Sequence, residues 1–258
     1  MSDDGSLTEK RVYADRDGTT TAVVASEIGL TRVSISGDIV GEFSLERRGT
    51  ATAVAAVDGR LAVATPDDVF VGTDAGFEAT GFGSGAVAVG YRDGLVAAAD
   101  GRIARYDDGW TELSTLDGIR RIDGGLVAAE SGIHRLDGTA LGLDAAADVS
   151  AVGTPLAATA EGLYYLANGW MAAVEGRFTA VAGDGDRAHA ATPDALYKRT
   201  DDGSWAEVEL PVEGRIVDIA YGDGVYAVTA DGTVLACAGD GWRHRSLGLA
   251  GASEIAVP

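Results

Sequence analysis

Apolar residues in this chain fall in short continuous runs, such as residues 61–64, 95–98, 126–129 and 225–228, each closed off by a turn. Runs of that length are strands. A buried helix needs about 10 to 12 residues, and an amphipathic one needs an apolar stripe recurring every three or four. The runs show no alternation of apolar and polar positions, which predicts sheets covered on both faces. Their many alanines allow those faces to approach closely. Asp-Gly and Asn-Gly pairs between the runs supply the positive φ angles that tight hairpins demand.

The runs belong to a unit repeating roughly every 30 to 40 residues, a spacing found in propeller blades. Three turns recur in order within it. The first leads into an apolar strand, as at Asp58-Gly59-Arg60-Leu61, Arg92-Asp93-Gly94-Leu95 and Gly222-Asp223-Gly224-Val225. The second introduces the next strand, as at Ala64-Thr65-Pro66-Asp67-Asp68-Val69 and Ala191-Thr192-Pro193-Asp194-Ala195-Leu196. The third places an aromatic just past a glycine turn. Phe77, Trp110, Trp170, Trp205 and Trp242 all stand there, and those are all four tryptophans of the chain.

Four strands joined by three hairpins make one blade. Second strands beginning near Thr21, Leu61, Leu95, Leu126, Leu156, Ala188 and Val225 count seven blades. The first blade lacks an innermost strand, and the strand-like residues 252–257 have no blade after them. Both defects vanish if the C-terminal strand completes the first blade and closes the ring, leaving no open sheet edge. The expected fold is therefore an all-β, seven-bladed propeller of four-stranded antiparallel blades over residues 19–258. Residues 1–18 form a tail or an extra edge strand. Six blades is the alternative, if the stretch around residues 133–143, with Thr139 where others carry Trp, is an insertion.

Composition narrows the function classes. The formal charge is -20, from 40 acidic against 20 basic residues, and Lys10 and Lys198 are the only lysines. Nucleic acid is an unsuitable partner, because binding a polyanion requires a positive stripe that releases counterions. The acids are scattered as short Asp-Gly and Asp-Asp pairs. That is the surface of a protein in a salt-rich cytoplasm, where at about 1 M salt the Debye length falls to about 3 Å; an acidic face for a basic partner is the competing reading. Cys237 is alone and the N-terminus lacks the basic start and apolar core of a signal peptide, which places the chain in the cytoplasm. No apolar run approaches the roughly 20 residues of a membrane span. The expected state is a monomer.

Candidate chemistry is sparse. In propellers the loops between second and third strands share a face with the blade-to-blade connections, and ligands commonly meet that face or the channel mouth. The second-to-third loops here carry Glu27, Asp67, Asp100, Glu130, Glu161, Asp194 and Asp231, one acid per blade. They read either as a carboxylate ring or as ordinary turn chemistry. The blade connections and innermost strands hold Arg47, Arg48, Arg120, Arg121, Arg177 and Arg215, guanidinium forks suited to a small anion or to neighbouring acids. Strand alternation turns Arg120 and Arg121 to opposite faces, so only one points into the channel. Phe82, in a glycine-rich connection, either contacts a partner or folds back over its blade. His134, His189 and His244 lie on different strands of different blades and have no zinc-ligand spacing. No phosphate-binding glycine loop occurs, and Cys237 sits in an apolar strand as a small hydrophobe. No cofactor or metal is implied.

Thr200-Asp201-Asp202-Gly203-Ser204-Trp205 resembles the Asp-box motif of bacterial neuraminidase-type repeats, with degenerate forms at Tyr106-Asp107-Asp108-Gly109-Trp110 and Ala238-Gly239-Asp240-Gly241-Trp242. In that family the box is a structural device at the third-to-fourth strand turn. The resemblance therefore implies architecture and not sialidase chemistry, whose arginine triad and Tyr-Glu pair have no motif here. Over nearly its full length the chain also resembles uncharacterised β-propeller proteins of halophilic archaea. Two functional readings follow. One is a non-catalytic scaffold presenting its channel-mouth face to a protein partner or small ligand. The other is a hydrolase or lyase acting on a glycan or other anionic small molecule, with Glu130 or Glu161 beside Arg120 or Arg177. Glycoside hydrolysis would need two carboxylates about 5 to 9.5 Å apart.

Overall fold

The computed structural model describes residues 18–258 apart from Asp100, Asp186 and Asp240. The expected N-terminal tail or edge strand thus lies outside the described residues, except for Gly18. Among the described residues, 28 strands form seven four-stranded antiparallel sheets. This is a seven-bladed propeller. Second strands begin at Thr19, Arg60, Leu95, Leu126, Leu156, Arg187 and Val225, within two residues of the positions read from the turns.

The ring closes through the C-terminus. The last strand, Glu254–Ala256, pairs antiparallel with Thr19–Ser26, which continues outward to Gly29–Ser36 and Ile39–Arg48. Val23 stands opposite Ala256 and Ala25 opposite Glu254. The questionable stretch is a true fourth blade, built from Ile119–Asp123, Leu126–Ala129, Gly132–Arg135 and Ala140–Gly142. Its outer strand is only three residues long, and two residues with positive φ, Leu143 and Ala145, lead into the fifth blade.

The core lies between blades, as the double-sided apolar strands require. Val24, Val33 and Ile35 of the first blade pack on Tyr226, Val228 and Val234 of the seventh. Where innermost strands converge, space is minimal: a Cβ on Gly90 would lie 2.7 Å from Cγ2 of Ile122 in the next blade. Two of the third-turn aromatics lock adjacent blades. Trp110 meets the Phe82 ring edge-on at 4.7 Å and donates its indole N–H to Thr80 Oγ1 at 3.2 Å, while Trp242 meets His189 at 6.0 Å. Phe77 packs on the cluster of Val23, Leu30 and Leu61, and Trp170 on that of Ala128, Ile133 and Val149.

Five of the second-to-third turns, those after Ser26, Ala64, Thr159, Ala191 and Thr229, share one device. A hydroxyl at the end of the second strand donates to a carbonyl three or four residues on, as Thr65 to Asp68 O at 2.8 Å, Thr159 to Gly162 O at 3.0 Å and Thr229 to Thr233 O at 3.2 Å. The same oxygens accept amide N–H groups of the turn, from Asp68, Gly162 and Thr233. Such side-chain turns need no partner chain to hold their shape.

Candidate functional site: the central channel

The innermost strands line a central cavity of about 560 Å³. Its lining runs from Val54, Val89, Arg121, Asp148, Val181, Asp218 and Glu254 on these strands down to the first hairpins, at Val57, Arg92, Gly124, Val152 and Asp184. The cavity therefore opens on the hairpin face, opposite the second-to-third loops and blade connections where the sequence reading put its site.

At the inner end of this cavity sits Arg121, its side chain 18% exposed. A bulge in the pairing of Ile119–Asp123 with Leu126–Ala129 falls between Ile119 and Arg121. Equivalent bulges precede Asp148 and Asp218. A bulge re-aims the following side chain, and here all three point into the channel. Arg121 reaches across from the fourth blade to the seventh and first. Its Nη1 bonds Glu254 Oε1, its Nη2 donates to Ser253 O at 2.9 Å and Val217 O at 3.4 Å, and Asp148 and Asp218 each stand 3.9 Å away.

The carboxylates have a second task. An innermost strand has no partner on its channel side, so its amide groups need acceptors. Asp148 Oδ2 accepts Val181 N–H at 2.8 Å, Asp218 Oδ2 accepts Ile255 N–H at 2.8 Å and Glu254 Oε2 accepts Val54 N–H at 2.6 Å. Nearer the hairpin mouth Asp123 Oδ2 accepts Ala151 N–H at 2.7 Å. Each bond runs from one blade to the next, so these acids stitch the ring from inside. One guanidinium faces three carboxyls, and for the two aspartates burial outweighs its attraction. Burial pushes Asp148 up to about 7; Arg121 and two amide donors oppose the rise and Asp218 adds to it. Burial raises Asp218 and Asp123 as well, against Arg121 and amide donors for Asp218 and amide donors for Asp123.

The sign of the resulting pH dependence is fixed. Between about 7, folded, and 3.8, unfolded, the folded chain binds a proton at Asp148 that the unfolded chain does not, so acidification through this window stabilises. His189 opposes it. Burial and then Lys198 and Arg187 depress its pKa to about 4, and Nδ1 lies 2.5 Å from Tyr221 Oη, so its neutral form is lost at a cost as pH falls from 6.5 towards 4. Comparing wild type with Asp148→Asn cancels the histidine. Melting temperatures should show the wild type gaining on the variant as pH falls from about 7 to about 4, with a constant difference above. A parallel pair of curves would place the Asp148 proton elsewhere.

The other residues singled out from sequence stay apart. Glu27, Asp67, Glu130, Glu161, Asp194 and Asp231 are all exposed, one to a second-to-third turn, and Asp100 lies outside the described residues. Arg120 is the bulged residue; it donates to Ala146 O at 3.0 Å and faces Glu130 at 3.5 Å. Arg47 stacks on the Phe70 ring at 3.8 Å, and Arg48, Arg177 and Arg215 are exposed on separate blade connections. Of the two readings of Phe82, the structure shows the residue folded back over its blade. It is 4% exposed, its ring carries the Arg102 guanidinium at 4.1 Å, and its N–H is held by Asp68 Oδ1 at 2.8 Å. Asp148, Asp218 and Glu254 escaped the sequence reading. Their signal was a charge two residues after the first apolar position of an innermost strand, as in Ile119-Arg120-Arg121, Ala146-Ala147-Asp148 and Ile216-Val217-Asp218.

Solved structures share the architecture. The computationally designed Ika8 protein superposes with a TM-score of 0.62 at 16% identity, over 93% of this chain and 88% of that one. The WD40 domain of Neurospora crassa Pan2 gives 0.61 at 11% identity, over 82% of each chain. Apo AztD from Citrobacter koseri gives 0.54 at 10%, over 93% and 98%. At these identities the likeness is one of fold. No curated protein matches the sequence. Among the described residues no helix is long and apolar enough to cross a membrane. The profile of one propeller family matches residues 6–258, and the chain belongs to that family, the HVO_0234-like β-propellers.

Proposed function

We infer that the chain is a non-catalytic scaffold, a rigid ring that offers its channel mouth and loops to a small ligand or protein partner. One observation carries this reading: the charged groups that converge in the channel are committed to one another and to backbone amides of adjoining blades. A catalytic acid or nucleophile must instead be free to meet a substrate atom. Of the two carboxylates considered for hydrolysis, Glu161 is exposed and Glu130 has a side chain 72% exposed and faces Arg120. A screen of hydrolase and lyase substrates should find no turnover. Activity abolished by Asp123→Asn, or by Glu130→Gln with Glu161→Gln, would sink the scaffold reading.

The hairpin mouth supports a binding role. Tyr91 and Tyr221 end the innermost strands of the third and seventh blades, Ala86–Tyr91 and Ile216–Tyr221. Each ring carries an arginine from the preceding blade, Arg60 at 5.2 Å and Arg187 at 5.0 Å. Two aromatic and guanidinium pairs beside one opening suit a partly apolar ligand.

Composition adds the setting, a salt-rich cytoplasm. Such an excess of acid repels itself in dilute buffer and is screened in brine. Melting temperature should accordingly rise on going from about 0.1 M to about 1 M KCl, and a flat response would count against the setting. The Thr200–Trp205 turn is read as an Asp-box relative: Asp202 Oδ1 accepts from Thr200 Oγ1 at 2.5 Å and from Ser204 N–H at 3.0 Å. These hydrogen bonds hold the Asp202 carboxyl down at about 2.

A further inference from the structure

A second cavity, of about 1250 Å³, lies outside the channel, between the fifth and sixth blades. Its walls are the outer parts of the two sheets. Tyr165 of the strand Gly162–Leu166 stands on one side, and Trp205, the first residue of Trp205–Val208, on the other. Thr154, Arg199, Asp201 and Ser204 supply polar groups around them.

This gap is open where comparable gaps are filled. Trp110 is enclosed by Phe82 and by Tyr106 at 5.2 Å, and Trp242 is set against His189. Trp170 is packed so closely that its indole nitrogen is buried. Trp205 touches the cluster of Leu156, Leu163 and Phe178 on one side and lines the cavity on the other. Across from it Tyr165 is 37% exposed, and its cross-strand partner Met171 is 50% exposed, a large apolar area left uncovered on one blade. An exposed patch of this kind marks a binding surface more often than chance.

We propose that this groove binds a neutral oligosaccharide. The chemistry follows from the lining. Two aromatic rings offer flat apolar faces to the C–H side of a sugar ring. A carboxylate and a guanidinium can each bridge neighbouring hydroxyls, the Thr154 hydroxyl can donate and accept, and Ser204 Oγ, whose proton goes to Asp202 Oδ1, can accept. The formal charges of the lining nearly cancel: Arg187 at the rim is paired with Asp184, and the one further guanidinium, Arg199, which donates to Gly185 O at 3.1 Å, is matched in number by the carboxylate of Asp201, so the groove does not select an ion by charge. The volume exceeds the range of about 300 to 1,000 Å³ usual for single small ligands and calls for more than one ring. The platform is prearranged. The Thr200, Asp202 and Ser204 network, with Ser204 Oγ 2.7 Å from both Asp202 Oδ1 and Thr200 Oγ1, fixes the turn that delivers Ser204 and Trp205. Ordering costs on binding are then small. The groove adjoins the channel mouth and shares Arg187 with it, but its aromatic walls, Tyr165 and Trp205, are no part of the channel lining, so this proposal does not rest on the scaffold reading.

The test is binding of the intact chain to an array of immobilised neutral oligosaccharides, with hits titrated by tryptophan fluorescence and calorimetry. At least one glycan should bind, and Tyr165→Ala and Trp205→Leu should each weaken it at least tenfold. Circular dichroism should show both variants folded at the assay temperature, and Trp205→Phe, which keeps an aromatic face, should retain most of the affinity. Arg92→Ala, at the channel mouth, should leave it unchanged. An array without a hit would overturn the proposal. So would a hit indifferent to Tyr165 and Trp205, and one lost with Arg92→Ala would move binding to the channel.

Discussion

Removing residues 252–258 should leave a chain that does not fold, or that melts far below the intact protein. The segment supplies the strand Glu254–Ala256, without which Val23, Val24 and Ala25 lose their partners on the channel side and the first blade has three strands. It also supplies two of the channel stitches, Glu254 to Val54 N–H and Ile255 N–H to Asp218, and the acceptor that holds Arg121 Nη1. Ala252, Ile255 and Ala256 leave the core with it. Several kcal/mol go, against a total of about 5 to 15 for a typical domain. Circular dichroism and gel filtration of the truncated chain measure this, and a cooperative melt near that of the intact protein would overturn the closure. Removing Pro258 alone, an exposed residue outside the strand, should change nothing.

Closure was legible in sequence because it shows as two defects that cancel, a first blade short of a strand and a last strand short of a blade. Blade number was legible because most hairpins announce themselves through Asp-Gly or a related pair and two of the others through Thr-Pro-Asp; Asp58, Asp93 and Asp108 do adopt positive φ. The fourth blade was ambiguous for a physical reason. Its outer strand, Ala140–Gly142, is short, and Thr139 precedes it in place of an aromatic, so the side chain that marks register elsewhere is missing.

The channel was far less legible. The acids that stand out in the sequence lie in exposed turns, where aspartate beside glycine is expected from turn chemistry, and the hydroxyl-closed turns account for their shape without a ligand. The acids that converge are buried in innermost strands, where a carboxylate is costly unless it accepts hydrogen bonds. What places them there is the free edge of each innermost strand, a property of the closed ring that no single repeat displays. The bulges are equally invisible in sequence, and they decide which of Arg120 and Arg121 enters the channel.

Arg121→Met should be the most damaging single substitution in the channel. The side chain keeps its bulk, but Asp148, Asp218 and Glu254 lose the cation that faces all three, and the carbonyls of Ser253 and Val217 lose a donor. Breaking a buried pair by removing one partner costs about 3 to 5 kcal/mol, because a charge is left buried without compensation. The damage should depend on pH in a definite direction. Arg121 lowers the pKa of Asp148 and Asp218, so removing it raises both further, and protonation of the folded chain begins at higher pH. The variant should therefore recover stability on acidification from about pH 8 to about pH 5, a range in which the unfolded carboxyls stay ionised. Adding Glu254→Gln should restore part of the loss at pH 8 by removing one of the stranded charges. Thermal melts of the three proteins at both pH values decide the matter. If Arg121→Met is as stable as the parent at pH 8, the guanidinium does not hold the ring together, and the carboxyls must already be protonated in the intact channel.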